Sequence, residues 1–240
     1  MNHGFEVRRD DGKVAISSVF PHYRLVKVVR GVDNFWDDTG QKYSKNVIVA
    51  FRPVNATNAP QTYRFSIGAV ILWYYMGNQP KPPPTATLSF YSKVLADAYV
   101  YDTAPAMSTE THGYGIQVFN EAGQVTFDSA GRYMIIADVL QGESNYSRNP
   151  WNNQYPAPLK FTFPSHMKLA VVPLKEGFHI DFGASTDEQM YGLTWFAVYG
   201  NSVDVHMVYY LEDYYGSQSG SRKHLWYNCL VIDVSNTELA

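Results

Sequence analysis

A chain of 240 residues with 45% hydrophobic content can bury one large core or two of ordinary size, and 17% charged residues is low for a solvated helical protein. A formal net charge of −3, from 19 Lys and Arg against 22 Asp and Glu, leaves no basic footprint for nucleic acid. The single Cys excludes an intrachain disulfide and any cysteine-based metal cluster, while 19 Tyr, 13 Phe and 5 Trp form an aromatic excess suited to strands and interfaces.

The first residues, MNHGFEVRRDDG, contain no apolar core of a secretory signal peptide. Phe5 and Val7, then Val14 and Ile16, fall at alternate positions around Arg9-Asp10-Asp11-Gly12. Alternation places these side chains on one face of a strand, and the Gly supplies the positive φ of a tight turn, so the opening predicts a β-hairpin. Tyr23 to Val28 continues as a strand, Gly31 to Lys45 is polar and turn-rich, and Val47 to Phe51 reads as a buried strand closed by Pro53. Tyr63, Phe65 and Ile67 form a half-buried strand running into the apolar Ala69 to Met76. That run is far shorter than the roughly 20 residues a membrane-spanning helix requires, so no membrane insertion is expected. Pro80-Lys81-Pro82-Pro83-Pro84 lacks amide donors at four of its five positions and predicts a loop or an extended edge. Strands at Ala86 to Phe90 and Ala98 to Asp102 close the first half.

Thr103 to Thr111, small and polar, reads as a linker. A second hairpin then occupies Tyr114 to Ser129, with Ile116, Val118, Val125 and Phe127 alternating around Asn120-Glu121-Ala122-Gly123. Strands are expected at Tyr133 to Val139, Leu159 to Phe163, Lys168 to Val172, Trp195 to Tyr199, Val203 to Tyr209 and Trp226 to Asp233, with a polar loop over Gln141 to Pro158. One helical turn is the reading of Ser185 to Met190.

The halves match in order. Gly4 aligns with Gly115 at an offset of 111 (115 − 4), Pro53 with Pro173 at 120 (173 − 53), Gly77 with Gly200 at 123 (200 − 77), and Asp102 with Asp233 at 131 (233 − 102). The offset only grows, as loop insertions after a duplication would leave it. The expected fold class is therefore all-β, with two tandem antiparallel β-sandwich domains at residues 1–106 and 112–240, related by internal duplication.

No nucleophile elbow, zincin, phosphate-loop or dinucleotide motif occurs in the chain. The 7 His never stand two or four residues apart, and the doublets Asp37-Asp38, Asp187-Glu188 and Glu212-Asp213 point to opposite faces of any strand. Cys229 sits in an apolar run, where a small buried hydrophobe is expected. No catalytic residue, metal or cofactor is assigned. The aromatic loops carry more information. Tyr146, Trp151 and Tyr155 lie among asparagines, and Tyr214 and Tyr215 end a strand ahead of a Gly/Ser-rich tip. Aromatic faces anchor protein interfaces and stack on sugars. For Tyr146, Trp151 and Tyr155 a protein interface is the first reading, a loop folded over its own side chains the second and a host-surface glycan or receptor contact the third, while Tyr214 and Tyr215 lead into a tip expected to be ordered by a partner.

Gly4-Phe5-Glu6-Val7 with Gly12, and Tyr114-Gly115-Ile116-Gln117-Val118-Phe119-Asn120 with Gly123 and Phe127-Asp128-Ser129, resemble the opening of small tail-associated virion proteins of tailed bacteriophages. The first copy departs from that pattern at Arg8-Arg9 and Ile16-Ser17-Ser18, and the resemblance covers the two hairpins alone. It implies a non-enzymatic β-sandwich component of a phage tail, baseplate or tail fibre. Such a protein is made in bacterial cytoplasm and partnered by other virion proteins and by copies of itself.

Overall fold

A computed structural model of the chain describes residues 6–8, 14–17, 22–37, 43–44, 46–53, 88–103, 116–121, 123, 125–129, 131–145, 157–175, 178–182, 188–213 and 220–237. The described residues contain strands and no helix, and every strand pair is antiparallel, so the expected all-β class is found. Two short hairpins, β1 (Glu6–Arg8) with β2 (Val14–Ser17) and β6 (Gln117–Phe119) with β7 (Val125–Asp128), accompany two large sheets. In the first large sheet the order is β3 (Arg24–Asp37), β5 (Leu88–Asp102), β4 (Ile48–Pro53), β10 (Leu169–Lys175), β15 (Trp226–Asp233) and β8 (Ile135–Glu143). In the second it is β14 (Gly220–His224), β11 (Phe178–Phe182), β12 (Glu188–Tyr199), β13 (Ser202–Asp213) and β9 (Leu159–Thr162).

Alternation along the central strands builds two cores. Phe51, Ala98, Leu169, Val171, Tyr227, Cys229 and Val231 leave one face of the six-stranded sheet and pack against Phe196, Val198, Val203 and Val205 of the five-stranded sheet. Their neighbours Ala50, Tyr99, Tyr101, Ala170, Val172 and Ile232 leave the opposite face and form a second cluster with Leu25, Val28 and Met134. The six-stranded sheet covers that second cluster itself. Its edge strands β3 and β8 meet through an antiparallel bridge between Arg24 and Tyr133, with Leu25 N–H donating to Arg132 O at 2.7 Å and Met134 N–H to Tyr23 O at 2.9 Å. The sheet thus closes on itself at this end. A strand buried on both faces needs near-continuous apolar sequence, which explains AYVYD in β5 and CLVID in β15.

Corresponding strands in the two halves share their registers. β1 and β2 pair Glu6 with Ser17, Val7 with Ile16 and Arg8 with Val14, whereas β6 and β7 pair Gln117 with Asp128, Val118 with Phe127 and Phe119 with Val125. Every residue of the second set lies 111 positions beyond the first (117 − 6), and both ladders bulge at the same step, leaving Ala15 and Thr126 as the extra residues. The pairs Arg24–Asp102, Leu25–Tyr101, Lys27–Val100, Val28–Tyr99 and Val29–Ala98 correspond to Ile135–Asp233, Ile136–Ile232, Asp138–Val231, Val139–Leu230 and Leu140–Cys229. Offsets are 111 (135 − 24) on one strand and 131 (233 − 102) on its partner, with a shared bulge at Val26 and Ala137.

For β4 and β10 the ladders against β5 and β15 correspond at 122 (170 − 48), two more than the alignment of Pro53 with Pro173 predicts. A shift of two keeps every side chain on its own face, so residue identity alone does not detect it. With β3, β5 and β4 answering to β8, β15 and β10, the sheet order reads the same from either edge. The centre of that order lies between β4 and β10, where Phe51 faces Val171, and its two outer strands meet at the Arg24–Tyr133 bridge. The six-stranded sheet therefore takes three strands from each half.

Some elements differ from expectation. β3 runs on to Asp37 through a segment expected to be turn-rich, because its backbone pairs with Leu88 to Tyr91; register shifts after Val29 and Val32 absorb the polar sequence. The two strands expected over Ala86 to Asp102 are one strand from Leu88. β8 extends through Glu143 into the expected loop, and Glu188 to Met190 belong to β12 rather than to a helical turn. The linker residues 104–111, and the expected strands over 63–76, lie outside the described residues.

Candidate interaction surface

Tyr146, Trp151, Tyr155, Tyr214 and Tyr215, the residues singled out from sequence, all lie outside the described residues. The strands that lead to them are described. β8 ends at Glu143 and β9 begins at Leu159, and the Asn145 amide donates to Ala157 O at 3.1 Å, drawing the two ends of the intervening loop together.

The β6–β7 hairpin presents an apolar surface. Its turn is closed by Gly123 N–H donating to Asn120 O at 3.0 Å, with Gly123 at φ 74°, a conformation that L side chains rarely adopt. Val118, Thr126 and Asp128 turn inward, while Ile116 is 66% and Phe119 51% exposed. The base is held from several directions. Ser129 N–H donates to Ile116 O at 2.8 Å, Ile116 N–H to Ser129 Oγ at 2.8 Å, and the Gln117 amide to Asp128 Oδ2 at 2.9 Å. Tyr133 stacks on Phe127 with centroids 4.8 Å apart and accepts a hydrogen bond from Asp128 N–H, and His22 stands edge-on to both rings. Burial raises the Tyr133 phenol pKa. Gly131 leaves room for this ring, since a Cβ there would meet Tyr133 at 2.8 Å. A rigid base with outward apolar side chains is the geometry of a docking element.

Beside the hairpin, β8 exposes Ile135, Ile136 and Val139 at the edge of the six-stranded sheet. The edge itself is blunted. Ala137 forms a bulge, and Asp138 Oδ1 accepts the N–H of Val139 at 2.8 Å, so a partner strand finds an interrupted ladder. Side-chain packing suits this edge better than strand addition.

On the β3–β5 side of the six-stranded sheet, Arg30 Nη1 donates to Asp97 Oδ2 at 2.6 Å and to the Tyr99 hydroxyl at 3.1 Å, with its guanidinium carbon 5.5 Å from the Tyr99 ring centre. Gly31 N–H donates to the second Asp97 oxygen at 3.1 Å. The hydrogen bond that Arg30 donates to Asp97 raises the Arg30 pKa above its ordinary value. Donors and acceptors here satisfy one another, which marks a structural ion pair. Carried on past the last matched pair, Val29–Ala98, the offsets of 111 (141 − 30) and 131 (228 − 97) lead to Gln141 and Asn228, although β3 shifts register after Val29 and β8 does not.

Cys229 is fully buried in the inter-sheet core, as its apolar setting predicts. Among the described residues no group of three or more His, Cys, Asp or Glu is placed to hold a metal ion, and no helix is long and apolar enough to cross a membrane. Ile135, Ile136, Val139 and Trp226 are exposed although apolar runs contain them. The adjacent isoleucines at 135 and 136 are an available signal, because consecutive strand residues take opposite faces and the two cannot both join one core. Comparison with models of known protein families, with curated proteins and with solved structures found no match.

Proposed function

We propose that this chain is a non-enzymatic structural component of a tailed-bacteriophage particle, of the tail, baseplate or tail fibre, built by internal duplication and acting through protein–protein contacts. The β6–β7 hairpin carries the reading. Its sequence bears the resemblance to tail-associated proteins, its register and bulge recur in β1–β2, and it displays Ile116 and Phe119 from a fixed base. Removing a large apolar side chain from water contributes about 1.5–3 kcal/mol, so these two with Ile135 and Ile136 suit a contact with other virion proteins or with further copies of the chain.

Purified particles provide the test. Mass spectrometry should find the chain at fixed stoichiometry, and electron microscopy should place its density in the tail with the hairpin at a subunit boundary. Particles that are infectious and lack the chain at every position overturn the assignment.

A further inference from the structure

The closed end of the six-stranded sheet buries Leu230 and Ile232 against the second cluster, but the same face of β15 continues outward through Asn228 to Trp226. Trp226 is 52% exposed. Directly opposite on β8 stand Glu143 beside Trp226, Gln141 beside Asn228 and Val139 beside Leu230, and no register shift interrupts these pairs, so all six side chains share one face. The platform is about 13 Å long, four strand residues at the usual rise.

Its backing is rigid. Ser144 N–H and Oγ–H both donate to Leu225 O, at 2.9 and 3.1 Å, and the Thr194 hydroxyl donates to Ser144 Oγ at 2.9 Å, which pins the strand pair at the Trp226 end. Tyr227 occupies the opposite face in an edge-on contact with Phe196, at 5.8 Å between centroids. Asn228 Oδ1 is buried and has no protein hydrogen-bond partner among the described residues. In the other half the corresponding positions are closed by the Arg30–Asp97 ion pair. The second half instead carries an exposed indole beside the exposed amide of Gln141 and the carboxylate of Glu143.

We infer that this face of β8 and β15 is a saccharide-binding platform, distinct from the hairpin surface. An indole stacks on the C–H face of a sugar ring, Glu143 accepts hydrogen bonds from hydroxyls, and the exposed Gln141 amide both donates and accepts. An alkyl or aromatic protein partner leaves these polar groups unpaired on burial, which disfavours it. Recognition is reversible and involves no bond cleavage.

The full chain is tested on an array of bacterial, plant and animal oligosaccharides, with hits measured by titration calorimetry. At least one oligosaccharide class should bind. Trp226→Ala should weaken it about tenfold or more with an unchanged circular-dichroism spectrum, the size expected of an aromatic hot spot. Trp226→Phe should retain part of the affinity, and Gln141→Ala should weaken binding without touching the core. An empty array, or binding that survives Trp226→Ala, overturns the inference. So does a Trp226→Ala variant whose sedimentation shows lost self-association and unchanged glycan binding, which assigns the face to a second copy. Particle incorporation is a separate readout, so failure of this platform leaves the structural assignment standing.

Discussion

Arg30 and Asp97 meet at 2.6 Å across β3 and β5, at the place where β8 and β15 carry Gln141 and Asn228. The two pairs of strands share register and bulge from Arg24 to Val29, and β3 shifts register just beyond, so the charges sit where the two frames part. Arg30 has a side chain 47% exposed, and solvent screens the pair. Arg30→Gln should therefore cost only about 1 kcal/mol in urea unfolding, and less at high salt. Asp97→Ala should cost more, about 1–3 kcal/mol, because it strands the Gly31 N–H as well as the guanidinium.

Tyr101 lies at the centre of the closed end, fully buried, with a hydroxyl that has no protein partner among the described residues. Ring volume and hydroxyl can be separated. Tyr101→Ala should destabilise by about 3–5 kcal/mol, the usual cost of removing a buried aromatic ring. Tyr101→Phe keeps the volume and breaks no protein hydrogen bond, so its melting temperature should stay level or rise. A Phe variant as unstable as the Ala variant contradicts this placement.

Alkaline stability follows from the same burial. Desolvation raises the phenol pKa of Tyr101, of Tyr133 and of Tyr227 above the ordinary 10.0, with Tyr99 and Asp233 adding to the effect on Tyr101. In the unfolded chain these phenols ionise near 10, so above that pH the folded state binds more protons than the unfolded state. Their contribution is complete below pH 10 and is lost as pH rises through the higher folded values. Ultraviolet titration should show a late tyrosine phase that coincides with loss of circular dichroism. Tyr101→Phe should make that loss less steep.

Much of the architecture was legible because strands announce themselves by alternation. The hairpins, β4, β9, β10 and β15 fall close to where Val7, Val49, Phe161, Val171 and Val231 place them. The 111-residue offset read from Gly4 and Gly115 is the offset of both hairpin ladders and of β3 against β8. Pairing between strands far apart in sequence was less legible. That β4 lies beside β10 depends on which edges meet, which a local pattern does not encode, and the two-residue difference at Pro53 preserves facing and so leaves no trace in alternation. β3 beyond Gly31 was missed since its polar residues are held by the β5 ladder rather than by their own propensity. The aromatic stretches of Trp151 and Tyr214 stand out by composition, whereas Trp226 lies in an apolar run and is exposed where β15 continues past its last pair with β10, at Asn228.

The hairpin surface makes the last prediction. Ile116 and Phe119 are exposed, so replacing both with Ser removes no core contact, and the melting temperature should change by less than about 1 kcal/mol equivalent. Assembly should respond differently. If these side chains fill a neighbouring subunit's pocket, the double variant loses about 3–6 kcal/mol of buried apolar contribution, enough to abolish incorporation at ordinary subunit concentrations. Complementation of a deletion phage with the variant gene measures this through the protein content of purified particles. Normal incorporation of a folded Ile116→Ser, Phe119→Ser chain removes the hairpin from the interface. A Gly131→Ala variant supplies the contrast: its added Cβ meets Tyr133 at 2.8 Å, so it should shift the hairpin base and reduce incorporation while leaving Ile116 and Phe119 intact. Loss in both variants ties assembly to the position of the hairpin as well as to its apolar side chains.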